Sequence, residues 1–312
     1  MNENWNYIHK LSKKIKKSTT GKVANAAKKK QSKNAEDSTY PNLAQIWTPE
    51  SVIQEYDVIA NISTGGNATI YSANRRCDGT SVALKVVEKC KLRLVEENGK
   101  EIPVEVSLHR RVKHNNIIQL LDYFECGPSL ILVLERPEAH MDLFDYISKQ
   151  EFLTEKIAKR IFRQVLDATL HCEEKGVFHR DIKDENIILD LKNKVAKLAD
   201  FGSGTQLHNF QYTEYEGTRS HCPPEWFTNQ RYLARPATIW SLGILLYDMV
   251  SGDVPFANES EIKDMEPCFN MALSQDVISL ITTMLNKDPR RRATLEDILN
   301  HQWLKDSNTK LD

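Results

Sequence analysis

Apolar and polar residues along this chain follow two different periods, and the change falls near its middle. From Tyr56 to Leu134 the apolar and β-branched residues come in short runs, among them Ser81–Val87 and Ser129–Leu134. Turn signals at Asp78-Gly79 and Gly127-Pro128 separate them. The pattern predicts strands, interrupted by one helix over Pro103–Val112 with Pro103 tolerated in its first turn. After Pro137 the period becomes helical. Ile157, Ile161, Val165 and Thr169, joined by Phe162 and Leu166, make one apolar face after a Thr154 cap, and Gly176 follows the helix. Trp240–Val250 is apolar nearly all round, as suits a helix buried at the centre of a lobe, with Gly252 and Pro255 closing it. The expected class is α+β: a small β-rich lobe, then a larger, mainly helical one, joined near Glu135–Glu138. Residues 1–45 hold few large apolar side chains and are expected to be disordered, with room for a transient helix around Ile8–Ile15.

Composition adds a division of charge. The 312 residues are 40% hydrophobic, enough for a full core, and the net charge is −1. Residues 1–34 nevertheless carry ten lysines against the single acid Glu3, so the body that follows is acidic by about ten charges. An acidic body suggests a cationic partner. The lysine clusters fit a nuclear-import signal or a polyanion-binding tail, and a solvated leader fits them equally well. A nucleic-acid partner is not expected, because the tail has little aromatic interleaving and the body opposes it. The six cysteines are scattered without metal-like or C-x-x-C spacing, which reads as reduced thiols in a cytosolic or nuclear protein. The longest apolar run, near Leu242–Val250, is too short for a membrane span and is broken by Asp248.

The chemistry concentrates in His179-Arg180-Asp181-Ile182-Lys183-Asp184-Glu185-Asn186, followed about fourteen residues on by Asp200-Phe201-Gly202. Two carboxylates, a lysine and an asparagine at this spacing suit phosphoryl transfer from a magnesium-bound nucleotide to a hydroxyl. Asp181 would accept or orient the hydroxyl proton, Lys183 would neutralise the moving phosphoryl, and Asn186 and Asp200 would hold Mg²⁺ through hard oxygens. Upstream, Ser63-Thr64-Gly65-Gly66-Asn67-Ala68-Thr69-Ile70 occupies the place of a glycine-rich phosphate-covering hairpin. Only Gly65 stands in register, Gly66 is extra, and Ser63 and Ala68 fill the outer glycine places. Lys85 ends a β-branched run like V-A-I-K, and Glu105 on the next helix is its natural partner. His109, one turn beyond Glu105, stands where an aliphatic side chain would sit more comfortably; either it is neutral and hydrogen-bonded or the helix is rotated.

Val82–Lys85, Glu105, His179–Asn186, Asp200–Gly202, Pro223-Pro224-Glu225 and Trp240–Gly243 together resemble the eukaryotic protein kinases from about Tyr56 to Leu304. Within them Leu134–Glu138, Asp142–Asp145, Asp200–Gly204, Glu216–Arg219 and Trp240–Asp248 with Gly252-Asp253 resemble the PIM serine/threonine kinases. The resemblance implies a bilobal fold over 51–305 (N-lobe 51–134, hinge 135–138, C-lobe 139–305), flanked by a basic tail at 1–50 and a short tail at 306–312. It implies ATP and Mg²⁺ as cofactors. Adenine would bind against Ile62, Ile70, Ala83, Leu134 and Leu189 and the Glu135 carbonyl, because Pro137 lacks the usual N–H. Leu134 would guard the back of the pocket, and core packing is an equal reading for Ile62, Ile70, Ala83 and Leu189.

The same resemblance implies that Asp142, Asp145, Asp184, Glu185, Asp248 and Asp253 bind Arg or Lys upstream of the acceptor. It implies that Thr218 positions Asp181 and Lys183, and that Glu225 pairs with Arg292. Activity without an activation-segment phosphate is also implied, with Glu214 and Glu216 facing Arg180. Thr238 stands where many kinases carry aspartate, and PIM-like kinases share that lack. The expectation is a monomeric Ser/Thr kinase for basic protein substrates. Ser63, Ala68 and His109 leave a catalytically weak pseudokinase or scaffold as the alternative. Lys16-Lys17-Ser18-Thr19-Thr20 resembles a basic phosphorylation site able to dock in cis.

Overall fold

The computed structural model describes residues 46–47, 49–270 and 272–305. The lysine-rich head with its expected helix at Ile8–Ile15 and its Lys16–Thr20 motif, and the tail 306–312, lie outside the described residues. In chain order come β1 (Ile46–Trp47), α1 (Pro49–Glu55), β2 (Tyr56–Thr64), β3 (Ala68–Arg75) and β4 (Ser81–Glu88). A hairpin of β5 (Leu94–Glu97) and β6 (Lys100–Pro103) leads into α2 (Val104–His109), then β7 (Leu120–Cys126) and β8 (Ser129–Glu135). Next are β9 (His140–Asp142), α3 (Leu143–Gln150), α4 (Glu155–Glu174) and β10 (Val177–Phe178). After them come β11 (Ile187–Asp190), β12 (Val195–Leu198) and β13 (Thr205–Gln206). The chain ends with α5 (Pro224–Asn229), α6 (Ala234–Ser251), α7 (Glu259–Asp264), α8 (Gln275–Met284), α9 (Leu295–Asn300) and α10 (Gln302–Lys305).

The chain divides into two compact units. The described part of the first, up to Leu92 together with Leu120–Pro137, is a six-stranded sheet in the order β1-β7-β8-β4-β3-β2. Alternation sorts its two faces. Val82, Leu84 and Val86 of β4 join Ile131 and Val133 of β8, Tyr56 and Phe124 in a buried cluster. Ala83 and Lys85, one residue out of step, lie on the opposite face. There Ala83 pairs across the ladder with Leu134, and Lys85 with both Ile70 and Leu132.

The second unit, Arg93–Gln119 and Glu138 onward, is mainly helical and includes the β5–β6 hairpin and α2. Its core gathers Ile161, Phe162, Val165 and Leu166 of α4 around α6. In α6 residues 239–246 are all buried, as expected of a helix apolar on every side. Capping side chains fix the helix starts: Asp142 for α3, Asn258 for α7, Ser274 for α8, and a Thr294/Asp297 capping box for α9. The predicted helix over 103–112 is shorter than expected. Pro103 ends β6 and caps α2, and the backbone turns away after His109. Among the described residues no helix is long and apolar enough to cross a membrane, and all six cysteines are unpaired.

Candidate active site

Four of the residues expected to carry chemistry meet in the helical unit, around the Asp181 carboxylate. Thr218 donates to Asp181 Oδ1 twice, from its backbone N at 2.9 Å and its hydroxyl at 2.6 Å. Asn186 Nδ2 donates to Asp181 Oδ2 at 2.9 Å and to its carbonyl at 2.8 Å. Lys183 Nζ lies 3.8 Å from Asp181 Oδ2 and pairs closely with Glu185. Burial works against the lysine's charge, yet the Glu185 hydrogen bond and the Asp181 charge hold it above its usual range. Thr218 therefore fixes Asp181 as expected, and no bond from Thr218 to Lys183 occurs among the described residues.

A short 3₁₀ turn at Asp184–Asn186 and the β11–β12 hairpin bring Asn186 and Asp200 to the same end of that hairpin. Both Asn186 amide hydrogens are committed to Asp181, which turns the amide oxygen away from it. Asp200 adopts a left-handed backbone, φ 64°, and its Oδ1 accepts from Gly202 N at 2.9 Å. Among the described residues no three or more His, Cys, Asp or Glu form a metal cage. One carboxylate and one amide oxygen nevertheless suit Mg²⁺, which takes few protein ligands and completes its shell with water and substrate phosphates.

Arg180 departs from expectation. Its backbone is also left-handed, φ 66°, and its Nε donates to the Ser203 carbonyl at 2.5 Å. Among the described residues it forms no ion pair with Glu214 or Glu216. The segment is tied instead by Tyr215 Oη donating to Thr218 O at 3.0 Å and Tyr232 Oη to Glu214 O at 2.9 Å. His109 is hydrogen-bonded: Nε2 lies 2.6 Å from the Ile118 carbonyl, and the ring packs on Phe201 at 4.6 Å. His179 meets Phe201 edge-on at 4.8 Å.

The expected substrate acids fall into three groups. Asp142 Oδ1 is engaged as the α3 cap, accepting from Asp145 N at 2.7 Å, and Asp145 sits in that first turn. Glu185 is engaged with Lys183. Asp184 and Asp248 share a hydrogen bond; burial and the neighbouring Asp184 charge push Asp248 up to about 7, and Asp184 is raised by burial as well. Asp253, just past the Gly252 cap of the helix that carries Asp248, adds to the upward push. Glu225 pairs with Arg292 as expected, through two bonds of 2.9 and 2.8 Å. Glu105 is buried on α2, and Leu189 is buried in β11.

In the sheet unit the expected nucleotide residues follow the ladder. Ser63 pairs with Ile70 and Ile70 with Lys85, which is 5% exposed. Ile62 is exposed, and Glu135 pairs with Val82. The β2–β3 turn closes with Gly65 N donating to Ala68 O at 2.9 Å, and Lys91 Nζ donates to Gly66 O at 3.0 Å. Neither glycine has positive φ, and an added Cβ would meet nothing closer than 3.8 Å, so this backbone itself does not demand glycine there.

Two residues at the site carry no motif signal. His221 is buried, which pushes its imidazole down to about 4, and its Nδ1 lies 3.1 Å from Ser220 Oγ. Arg93 reaches the Asp200–Gly204 segment through backbone carbonyls, which no side-chain pattern reveals.

The protein kinase domain family model matches residues 56–304. The serine/threonine-protein kinase pim-2 of Danio rerio is 39% identical over 267 residues, covering 82% of this chain and 86% of the relative. The serine/threonine-protein kinase prk-2 of Caenorhabditis elegans is 38% identical, covering 83% of this chain and 60% of the relative. The human SNF-related serine/threonine-protein kinase is 36% identical, covering 80% of this chain and 33% of the relative. With the fold, the Asp181 cluster and these matches in agreement, the chain belongs to the protein kinase family, as a PIM-like, ATP-dependent serine/threonine kinase.

Proposed function

We propose that this kinase phosphorylates Ser or Thr hydroxyls preceded by Arg or Lys in protein substrates, and needs no phosphate on its own activation segment. The observation that carries the reading is the grip on Asp181. Both carboxylate oxygens receive hydrogen bonds, from Thr218 and Asn186, so the carboxylate is oriented before substrate arrives. Asp181 then aligns the acceptor hydroxyl and takes up its proton as the oxygen attacks phosphorus. Lys183, held charged by Glu185 and Asp181, offsets the negative charge on the phosphoryl oxygens. Asn186 and Asp200 would hold Mg²⁺, which when bound neutralises charge on the nucleotide phosphates. Lys85, Glu105 and the nucleotide-contacting residues keep the roles expected from the sequence.

Preference for basic substrates is supported by Asp145, Asp184, Asp248 and Asp253, carboxyl groups that form no ion pair among the described residues. Independence from phosphate is supported by the tyrosine and threonine bonds that tie down residues 212–218. The unpaired cysteines support a reducing compartment, cytosol or nucleus, and we assign a monomer as the working form.

The test is a kinase assay on a Ser/Thr peptide with upstream arginines, against the same peptide with those arginines replaced by alanine. Wild type should prefer the first and keep its rate after phosphatase treatment. Asp181→Asn should lose about 10²–10⁴-fold in kcat, and Lys85→Met should also lose activity. Equal transfer by all three proteins would mean a contaminating enzyme. Loss of activity on dephosphorylation would remove phosphate independence alone.

A further inference from the structure

The β5–β6 hairpin closes on itself through an Asn98-Gly99 turn with both residues at positive φ. Its base and its arm are both bonded to neighbours in the helical unit. At the base, Val104 N donates to Arg93 O at 2.8 Å, joining the hairpin to the start of α2. Along the arm, Glu97 accepts from Arg111 Nη2 at 2.6 Å and from the Ser107 hydroxyl. The hairpin is thus bonded to the helix that carries Glu105.

Arg93 extends the connection to the metal-side segment. Its Nη2 donates to Gly202 O and to Gly204 O, each at 2.8 Å, one hydrogen for each carbonyl. The carbonyl between them, Ser203 O, receives Arg180 Nε. Three successive carbonyls just after Asp200 are therefore held by two guanidinium groups. The backbone cannot easily move under them. Gly204 packs so closely that an added Cβ would sit 2.9 Å from Leu108 Cδ1 and 3.0 Å from Phe201 O. Gly202, bonded to Arg93 through its carbonyl, is also the residue whose N–H orients the Asp200 carboxylate.

Bringing two guanidinium groups together has an electrostatic cost. Burial, then the Arg180 charge, pull Arg93 below its ordinary range, while Glu216, Glu105 and Glu214 act in the opposite sense. Arginine stays protonated regardless. A contact retained against burial and a like charge points to a role beyond covering surface.

We infer that Arg93 is a positioning residue for magnesium: by clamping the carbonyls of Gly202 and Gly204 it holds the Asp200 carboxylate in its ligating orientation. The clamp belongs to the fold itself, so the metal site is set without a phosphate on the activation segment. This deepens the proposed function and rests on it for the catalytic readout only.

The experiment uses the full chain with Arg93→Met and Arg93→Lys, and two measurements. The first is the Mg²⁺ concentration for half-maximal rate at saturating ATP and peptide. The second, independent of turnover, is the rise in melting temperature that Mg²⁺ adds in the presence of ADP. Arg93→Met should need about tenfold more Mg²⁺ and lose most of the Mg²⁺-dependent rise, with the peptide KM unchanged. Arg93→Lys, a shorter donor of the same charge, should fall between the two. Variants that match wild type in both Mg²⁺ titrations, whatever their melting temperature, would reduce Arg93 to a packing residue. Arg93→Lys alone decides the matter if Arg93→Met does not fold. A wild type that transfers no phosphate sinks the functional reading, whereas an ADP–Mg²⁺ shift that is absent, or equal in all three proteins, sinks the clamp.

Discussion

Arg292 is fully buried, and every part of its guanidinium has a destination. Nη1 and Nη2 grip the Glu225 carboxylate, Nη1 also reaches Pro236 O at 2.8 Å, and Nε reaches Asn286 O at 3.0 Å. The plane lies over the Trp240 ring, 5.0 Å from its centroid. Such a pair adds little net stability over apolar residues of the same shape, but breaking one half is costly because the other charge is stranded. Arg292→Met should therefore lower unfolding free energy by about 3–5 kcal/mol, read from urea denaturation. Glu225→Leu added to it should recover most of that loss. If the double variant were as unstable as the single, the pair would be contributing attraction rather than mutual neutralisation.

Among the elements, α6 packs closely against the end of α8 at Gly243. An added Cβ there would lie 2.8 Å from Leu285 Cδ2 and 3.0 Å from Met284 Cβ. Alanine gains about 0.5–1 kcal/mol of helix propensity over glycine, while overpacking costs about 1–3 kcal/mol. Met284 Cβ belongs to the α8 stem and cannot rotate aside, so the cost should win. Gly243→Ala should lower the melting temperature, and Gly243→Val should lower it further; a rise with alanine would mean the contact has slack. The burial of α6 and the face of α4 were legible because 3.6-residue periodicity and all-round apolarity are properties of the sequence itself. The catalytic loop was legible because its chemistry rests on side chains close along the chain. The end of α2 was not, since Arg110 and Arg111 continue a helical composition where the backbone turns. Side chains bonded to backbone, Arg93 and Arg180 to carbonyls and Asp142 to an amide N–H, were equally invisible. A charge pattern suggests ion pairs, and here Arg180 uses a carbonyl and Asp142 a helix cap instead.

The body of the molecule carries about ten excess negative charges, and the site proposed for basic substrates includes Asp184 and Asp248, two carboxyl groups joined by a hydrogen bond. Burial first, and then the charge of the half-buried Asp184 beside it, push Asp248 up to about 7. For stability the sign is opposite to that of an ordinary ion-paired aspartate. Asp248 is raised in the fold, so its protonated form is the favoured one there, and its contribution to stability fades as pH rises through about 7. For binding the sign reverses again. An arginine brought to the pair meets one negative charge below that pH and two above it, and its cation relieves the repulsion that ionisation creates. The KM for an arginine-containing peptide should therefore fall between pH 6 and pH 8. The same peptide should stabilise the protein against heat more at pH 8 than at pH 6. Asp248→Asn removes the titrating group and should flatten both dependences while leaving KM for ATP unchanged. A wild-type KM that does not respond to pH, or a response that survives in Asp248→Asn, would move the recognition of basic residues away from this pair and onto Asp145 and Asp253.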